Sequence, residues 1–569
     1  MKAFIKKIKD NLFILIIGFV YYFSFSGISV GDVYYRSLEN GYPLFFVSNF
    51  DSYPLWFGFD IMHFLSIPTL RAIQLLIAKM GLLPNPLLLM QLVNLFLALV
   101  TLKLIHSILL HINIGNFMAT VTTVLFGFSY GFYANMNAEM HHFSVFLIIL
   151  TFWLLLNIER EKNTSGYSIF MVCLCLALTP LYHIETIVYS ACIILYILFQ
   201  KKLRRKFISK IYPVILGIIV CPVILITISF IFHYFELGAT SFTGYISELP
   251  ERLQLNISRG LTTSIYSSFS LKNIYIMSRA HLESFSVISR CAKILQHYKD
   301  ILFYSNAFFV KATVSLIILY ILSFLIVNVT ALISIIKNWS KVKGRIKLLV
   351  SMLIVYLVGF GLFHNKLLSE FYIVSVAVHC LLLGYVFNKQ IRRLKIFYYF
   401  LIILTIISNT LLFIYPQKVS AKSINRIFDE IESENIDAEE IVVVRVSSLN
   451  FTYELGARDK FKIYSDEHAY FTEAERLRHI NSIHQELNNG KKVYLISPAF
   501  LIGDSKEVNF NSVLPMDMDE FPDKFKNLQY FLEYVNDQHQ TTVIKKYDYN
   551  FGALGQLGRL AVIELKGGK

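Results

Sequence analysis

The sequence predicts a polytopic α-helical membrane protein with about eleven transmembrane helices, followed by an extracytoplasmic α/β domain. Three observations carry that prediction. The 569 residues are 55% hydrophobic and only 16% charged, with a mean hydropathy of +0.54, whereas soluble domains average about 25% charged residues. Apolar runs near twenty residues recur through positions 1–416, the length a helix needs to cross about 30 Å of hydrocarbon. After Pro416 the composition becomes that of a soluble protein. The net charge of +14 could point to nucleic acid, but the Lys and Arg cluster in short loops between the apolar runs. That is the positive-inside pattern of a membrane protein, and no nucleic-acid partner is expected.

The elements follow in order from those charges. Lys2, Lys6, Lys7 and Lys9 put the N-terminus in the cytoplasm, and 11–30 reads as an uncleaved first span ending at Gly31-Asp32. A long outer loop, 31–86, carries five prolines. Further spans are expected near 87–110, 115–133, 140–158, 167–182, 184–200, 211–233, 308–336, 347–364, 371–388 and 396–415. The strongly basic loops test the scheme. Arg160 and Lys162, the cluster Lys201 to Lys206, the cluster Lys337 to Lys347, and Lys389 to Lys395 all fall on the cytoplasmic side. The loops 31–86 and 234–307 and the C-terminal domain then lie outside. The six cysteines are scattered, with no disulfide or zinc pattern.

Residues 417–569 are expected to fold separately. Helical spacing covers 421–435 and Glu473 to Asn488, the latter ending before Gly490 as a C-cap. Ile441 to Val446, Lys492 to Ile496, Thr541 to Lys546 and Leu560 to Leu565 read as strands. Strands alternating with helices predict a small α/β domain. It has no glycine-rich phosphate loop or nucleophile motif, which points to an accessory role.

Ionisable residues at the outer ends of spans are the functional candidates, because charge at a bilayer edge is costly without a task or a partner. Asp32, Glu139 beside His141-His142, and His183 with Glu185 fall on one side of the membrane in this topology. So do the cations Arg36, Arg259, Arg279 and Lys366, suited to phosphate, and Glu370. Each has a plainer reading. Asp32 could cap an interfacial helix starting near Val33, Glu139 could sit at a helix start for the dipole, and His183 could be a turn residue.

Several short elements resemble one enzyme family in order. Gly31-Asp32 and Asn40-Gly41-Tyr42-Pro43-Leu44 resemble the opening of the GT-C glycosyltransferases, in the branch related to protein O-mannosyltransferases. Phe126 to Tyr133 leading to Ala138-Glu139 is similar to an aromatic element of that branch. Leu176 to Thr186, with His183, resembles its third element, although Ile184 stands where a second histidine is usual. Leu368-Ser369-Glu370-Phe371-Tyr372 resembles its late "EFYL" element. The resemblance runs over about 400 residues. It implies a GT-C-like fold with the site on the external face, in a cell envelope such as the bacterial inner membrane. The donor would be a polyprenyl-phosphate sugar and the acceptor a hydroxyl of a protein, lipid or glycan.

Such a transfer needs a base for the acceptor proton and cations for the leaving phosphate. Asp32 is the expected base, Glu139 its catalytic partner, and His183 a ligand of the donor phosphate. Glu185, Glu370 and the four cations are expected to bind substrate. No ligand spacing demands a metal, although Asp32 and Glu139 leave room for a divalent cation. A transporter or flippase of lipid-linked glycans is the alternative. Such proteins place charges at the bilayer midplane and repeat their halves internally. Neither feature is visible here.

Overall fold

The computed structural model describes residues 2–25, 86–134, 141–161, 163–183, 186–236, 271–286, 308–360, 372–410, 426–445, 461–465, 473–498, 540–550 and 557–566, with a few positions between 69 and 80. Two compact units divide these residues: a helical one holding those up to 286 and 318–409, and a second one, carrying a sheet, that holds 308–317 and those from 410 on.

A described helix lies on each of the eleven apolar runs. In chain order they are α1 (Lys2–Ser24), α2 (Pro86–His111), α3 (Asn116–Gly127), the short α4 (Tyr130–Ala134), α5 (His141–Arg160), α6 (Gly166–Tyr182) and α7 (Ile187–Phe199). Next come α8 (Lys201–Ile208), α9 (Ile211–Glu236), α10 (Leu271–Glu283), α11 (Phe308–Lys337), α12 (Gly344–Ile354), α13 (Ile373–Asn388) and α14 (Arg392–Asn409). Among the described residues, three helices are long and apolar enough to cross a membrane alone, or four if the bent pair α8–α9 is one span. Five others are shorter apolar helices. The difference from eleven long spans has local causes. The expected span 115–133 breaks at Phe128-Ser129 into α3 and α4, and 347–364 passes from α12 into a π-helical turn, Val355–Phe360.

The helices pack closely where side chains are small. Gly217 of α9 faces α6, and a Cβ there would lie 2.7 Å from the Phe170 carbonyl oxygen and 2.9 Å from Cys173 Cβ. Gly217→Val is therefore expected to push α6 and α9 apart. Overpacking of this kind costs about 1–3 kcal/mol, readable as a lower thermal midpoint of the detergent-solubilised protein. An unchanged midpoint would mean the two helices are not held in this contact.

One end of the helical unit is basic. Arg160 and Arg345 both donate to the His111 carbonyl, and His111 Nε2 meets Asn157 Oδ1 at 2.8 Å. Lys202 donates to the Glu159 carbonyl at 2.9 Å, and Lys206 to the carbonyls of Ile158 and Glu161. The Gly115 amide donates to Asn388 Oδ1 at 3.2 Å. The ends of α2, α5 and α13 and the starts of α3, α8 and α12 thus meet here. Cations satisfy the last carbonyls of α5, as the helix dipole favours.

The second unit holds a five-stranded sheet of order β2-β1-β3-β5-β4. Its strands are β1 (Ile441–Arg445), β2 (Phe461–Ser465), β3 (Lys492–Pro498), β4 (Gln540–Asn550) and β5 (Leu557–Lys566). β2, β1 and β3 are parallel, and β5 and β4 run antiparallel beyond β3. The helix α15 (Glu473–Asn488) connects β2 to β3, the crossover a parallel pair requires. Val442, Val443 and Val444 are all fully buried, so β1 is covered on both faces, and its unbroken apolar run reflects that. Gly490 adopts φ +77° after α15. Its amide donates to the Leu487 carbonyl at 3.0 Å, and the Lys491 amide to Glu486 at 3.1 Å. The predicted C-cap is therefore present, with glycine at a left-handed position where a Cβ would strain the backbone. β2, Phe461–Ser465, is the strand that the sequence pattern does not reveal.

Candidate active site at the histidine end of the bundle

The opposite end of the helical unit gathers the flanks of the predicted site residues. Asp32, Arg36, Glu139, Glu185, Arg259, Lys366 and Glu370 lie outside the described residues; His183 and Arg279 lie within them. Ser24, eight positions before Asp32, meets Tyr133, six before Glu139, at 2.5 Å between hydroxyl oxygens. Tyr21 donates to the Gly127 carbonyl and stacks on Tyr133, with ring centroids 5.1 Å apart. The aromatic stretch Phe126 to Tyr133 is thereby fixed to the end of α1. This is why it is so rich in rings: Phe126, Phe132 and Tyr133 are fully or almost fully buried among them.

His141 and His183 are brought together, their rings 4.6 Å apart and each about 3% exposed. α5 begins at His141 and α6 ends at Tyr182, so the two helices run antiparallel and their ends coincide here. Phe143 stacks on Tyr182 at 4.8 Å, nearly coplanar, which locks that register. His183 caps α6 with extended backbone, its amide donating to the Thr179 carbonyl at 3.2 Å, and its own carbonyl accepts from the Thr186 hydroxyl at 2.6 Å. His142 is fully buried, edge-on to Phe132 at 4.7 Å, and among the described residues neither ring nitrogen has a hydrogen-bond partner.

Arg279 belongs to α10, in the loop expected outside. Its Nε donates to Glu283 Oε1 at 2.7 Å, and the Glu283 side chain is 1% exposed. The pair places a compensated cation on α10, with the guanidinium a quarter exposed. α10 is itself pinned to the bundle. Tyr372 donates to Met277 Sδ at 2.9 Å. His281 meets Ser375 Oγ through Nδ1 at 2.8 Å and His379 Nδ1 through Nε2 at 2.9 Å. Ser375 donates to the Tyr372 carbonyl at 2.8 Å, so its oxygen is the acceptor for His281 Nδ1–H. A neutral His281 then offers Nε2 to His379 Nδ1–H. The backbone amides of Tyr130 and Gly131 donate to the carbonyls of Phe285 and Ser284 at 3.1 and 2.8 Å. Asn409, fully buried at the end of α14, donates to the carbonyls of Phe128 at 2.7 Å and Phe285 at 2.9 Å. Ser286 and Ser408 meet at 2.8 Å.

One polar and aromatic network therefore joins the end of α1, α4, the end of α10, the start of α13 and the end of α14. The His141–His183 pair adjoins it through α5, which carries the Phe132–His142 contact. Glu139 lies two residues before His141, Glu185 two after His183 and Glu370 two before Tyr372. The sequence reading singled out none of His281, His379 and Asn409. His379 had a signal: a titratable residue within the apolar run Val374 to Leu383 is costly without a partner. Among the described residues, no group of three or more His, Cys, Asp or Glu could hold a metal ion.

The helical fold is that of the GT-C membrane glycosyltransferases. The chain is similar to ArnT from Cupriavidus metallidurans in the apo state, with a TM-score of 0.53 at 9% identity over 97% of both chains. ArnT bound to undecaprenyl phosphate aligns over the same shares at 0.48 and 9% identity. The Archaeoglobus fulgidus oligosaccharyltransferase tethered with an acceptor peptide gives 0.44 at 12% identity, over 98% of this chain and 74% of that one. No protein-family profile matches the sequence, and no curated protein matches it.

Proposed function

We propose that this chain is a membrane glycosyltransferase. It moves a sugar from a polyprenyl-phosphate donor to a hydroxyl of a protein, lipid or glycan at the extracytoplasmic face. The observation that carries the reading is the convergence of the flanks of Asp32, Glu139, Glu185 and Glu370 at one end of a GT-C bundle, opposite the basic end. That polarity supports a cytoplasmic N-terminus and an external site, by the positive-inside rule, in a membrane such as the bacterial inner membrane. The ordered motif resemblance supports the O-mannosyltransferase-like branch, and residues 417–569 are read as an accessory extracytoplasmic domain.

The chemistry is a displacement at the anomeric carbon. Asp32 takes the proton of the acceptor hydroxyl, whose oxygen attacks with inversion as the bond to the phosphate oxygen breaks. Partial desolvation at the bilayer edge raises the basicity of such a carboxylate. Arg36, Arg259 and Lys366 stabilise the departing polyprenyl phosphate. Arg279 acts from α10, steadied by Glu283, and His183 reaches the same phosphate. Glu139 orients the acceptor, with Glu185 and Glu370 binding substrate hydroxyls.

The test is to incubate the purified protein with a panel of polyprenyl-phosphate sugars and follow transfer or donor hydrolysis. At least one donor should be consumed, with release of polyprenyl phosphate. A folded protein that leaves every donor intact would overturn the proposal.

A further inference from the structure

We propose that α8 and the helix ends around it form a binding surface for anionic phospholipid headgroups. α8 is bent by 78° from the helix that follows it. If that helix crosses the bilayer, α8 lies along the membrane surface. Its sequence, Lys-Lys-Leu-Arg-Arg-Lys-Phe-Ile, divides its residues by task. Leu203 and Phe207 are buried, 1% and 8% exposed, and hold α8 to the bundle. Lys202 and Lys206 cap the last carbonyls of α5. Lys201, Arg204 and Arg205 are exposed and take part in none of these contacts.

The surroundings match an anionic interface. Residues 157–161, 199–212 and 337–347 hold twelve Lys and Arg, against the acids Glu159 and Glu161 alone. Exposed apolar side chains lie on α8 and beside it: Phe199 is 82% exposed, Ile208 64% and Tyr212 83%. A water-facing protein surface would not leave these bare beside five cations. At a headgroup boundary the rings and aliphatic chains enter the acyl layer while the guanidinium groups reach phosphate. Arginine pairs with a phosphodiester through two parallel N–H···O bonds, so Arg204 and Arg205 carry most of the selectivity. The occupant is a lipid phosphate with net negative charge, such as phosphatidylglycerol. The inference stands apart from the proposed glycosyl transfer, because it concerns the opposite end of the bundle.

The test is native mass spectrometry of the full-length protein with phosphatidylglycerol and with phosphatidylcholine. Wild type should retain phosphatidylglycerol in preference. A surface cation contributes about fivefold to such binding, so Arg204→Gln/Arg205→Gln should lose at least about fivefold of that retention and leave phosphatidylcholine unchanged. Arg392→Gln/Arg393→Gln, at the start of α14, should keep it. Raising the salt on wild type should weaken the preference, which tests the idea even if the α8 variant does not fold. Equal retention by wild type of both lipids, an α8 variant that holds phosphatidylglycerol like wild type, an equal loss in the α14 variant, or a salt-independent preference would each overturn it.

Discussion

Asp32→Asn is expected to abolish sugar transfer while the protein inserts and folds as wild type. A general base contributes about 10²–10⁴-fold to such a reaction, so turnover should fall at least a hundredfold with each accepted donor. The substitution also separates the two readings of this residue. Asn caps a helix as well as Asp does, so a carboxylate serving only as an N-cap could be replaced with little loss of activity. An amide cannot take a proton from an acceptor hydroxyl. The measurement is initial rate in purified membranes, alongside thermal midpoint and expression. Near-normal turnover would remove Asp32 from the chemistry and move the search to Glu139.

The second large effect is expected at Asn409. Its side-chain amide bridges the carbonyls of Phe128, where α3 ends, and Phe285, just beyond α10. Leu has the same branched heavy-atom skeleton, with bulkier methyls, but no donor. Asn409→Leu leaves the Phe128 carbonyl without this bond and the Phe285 carbonyl with the Tyr130 amide. Stranding a buried acceptor costs about 1–3 kcal/mol. The detergent-solubilised variant should melt earlier, and transfer should fall because α10, which carries Arg279, loosens from α4. Asn409→Asp keeps the shape and replaces the donor with an acceptor, so it should be at least as damaging. Wild-type stability in both variants would show that the bridge does not hold these segments.

The gross design was legible from local signals. Apolar runs marked most helices of the bundle, because a helix in hydrocarbon must satisfy its backbone internally and present apolar side chains; α8 and α10, on stretches read as loops, were not marked. The Gly490 cap and the helix Glu473–Asn488 were readable because left-handed backbone and helical spacing leave direct traces in sequence. β2 was not, since five residues of mixed polarity between charged neighbours carry no clear period. The break between α3 and α4 was also invisible. Phe128-Ser129 is as apolar as a continuing helix, and the turn there is set by the Asn409 donor and by Ser129 Oγ bonding the Phe126 carbonyl at 2.7 Å.

The sequence by itself determined the membrane character, the alternation of basic and histidine-bearing ends, and the residues worth suspecting. These are one-dimensional properties, written in runs and in loop charges. Only the tertiary structure decided which of those ends meet. His183 faces His141, the flank of Asp32 adjoins that of Glu139, and α10 is clasped by His281, Ser375 and His379. Residues 42 to 281 positions apart come within hydrogen-bond or ring contact there. Their proximity depends on the packing of whole helices, and no local pattern encodes it.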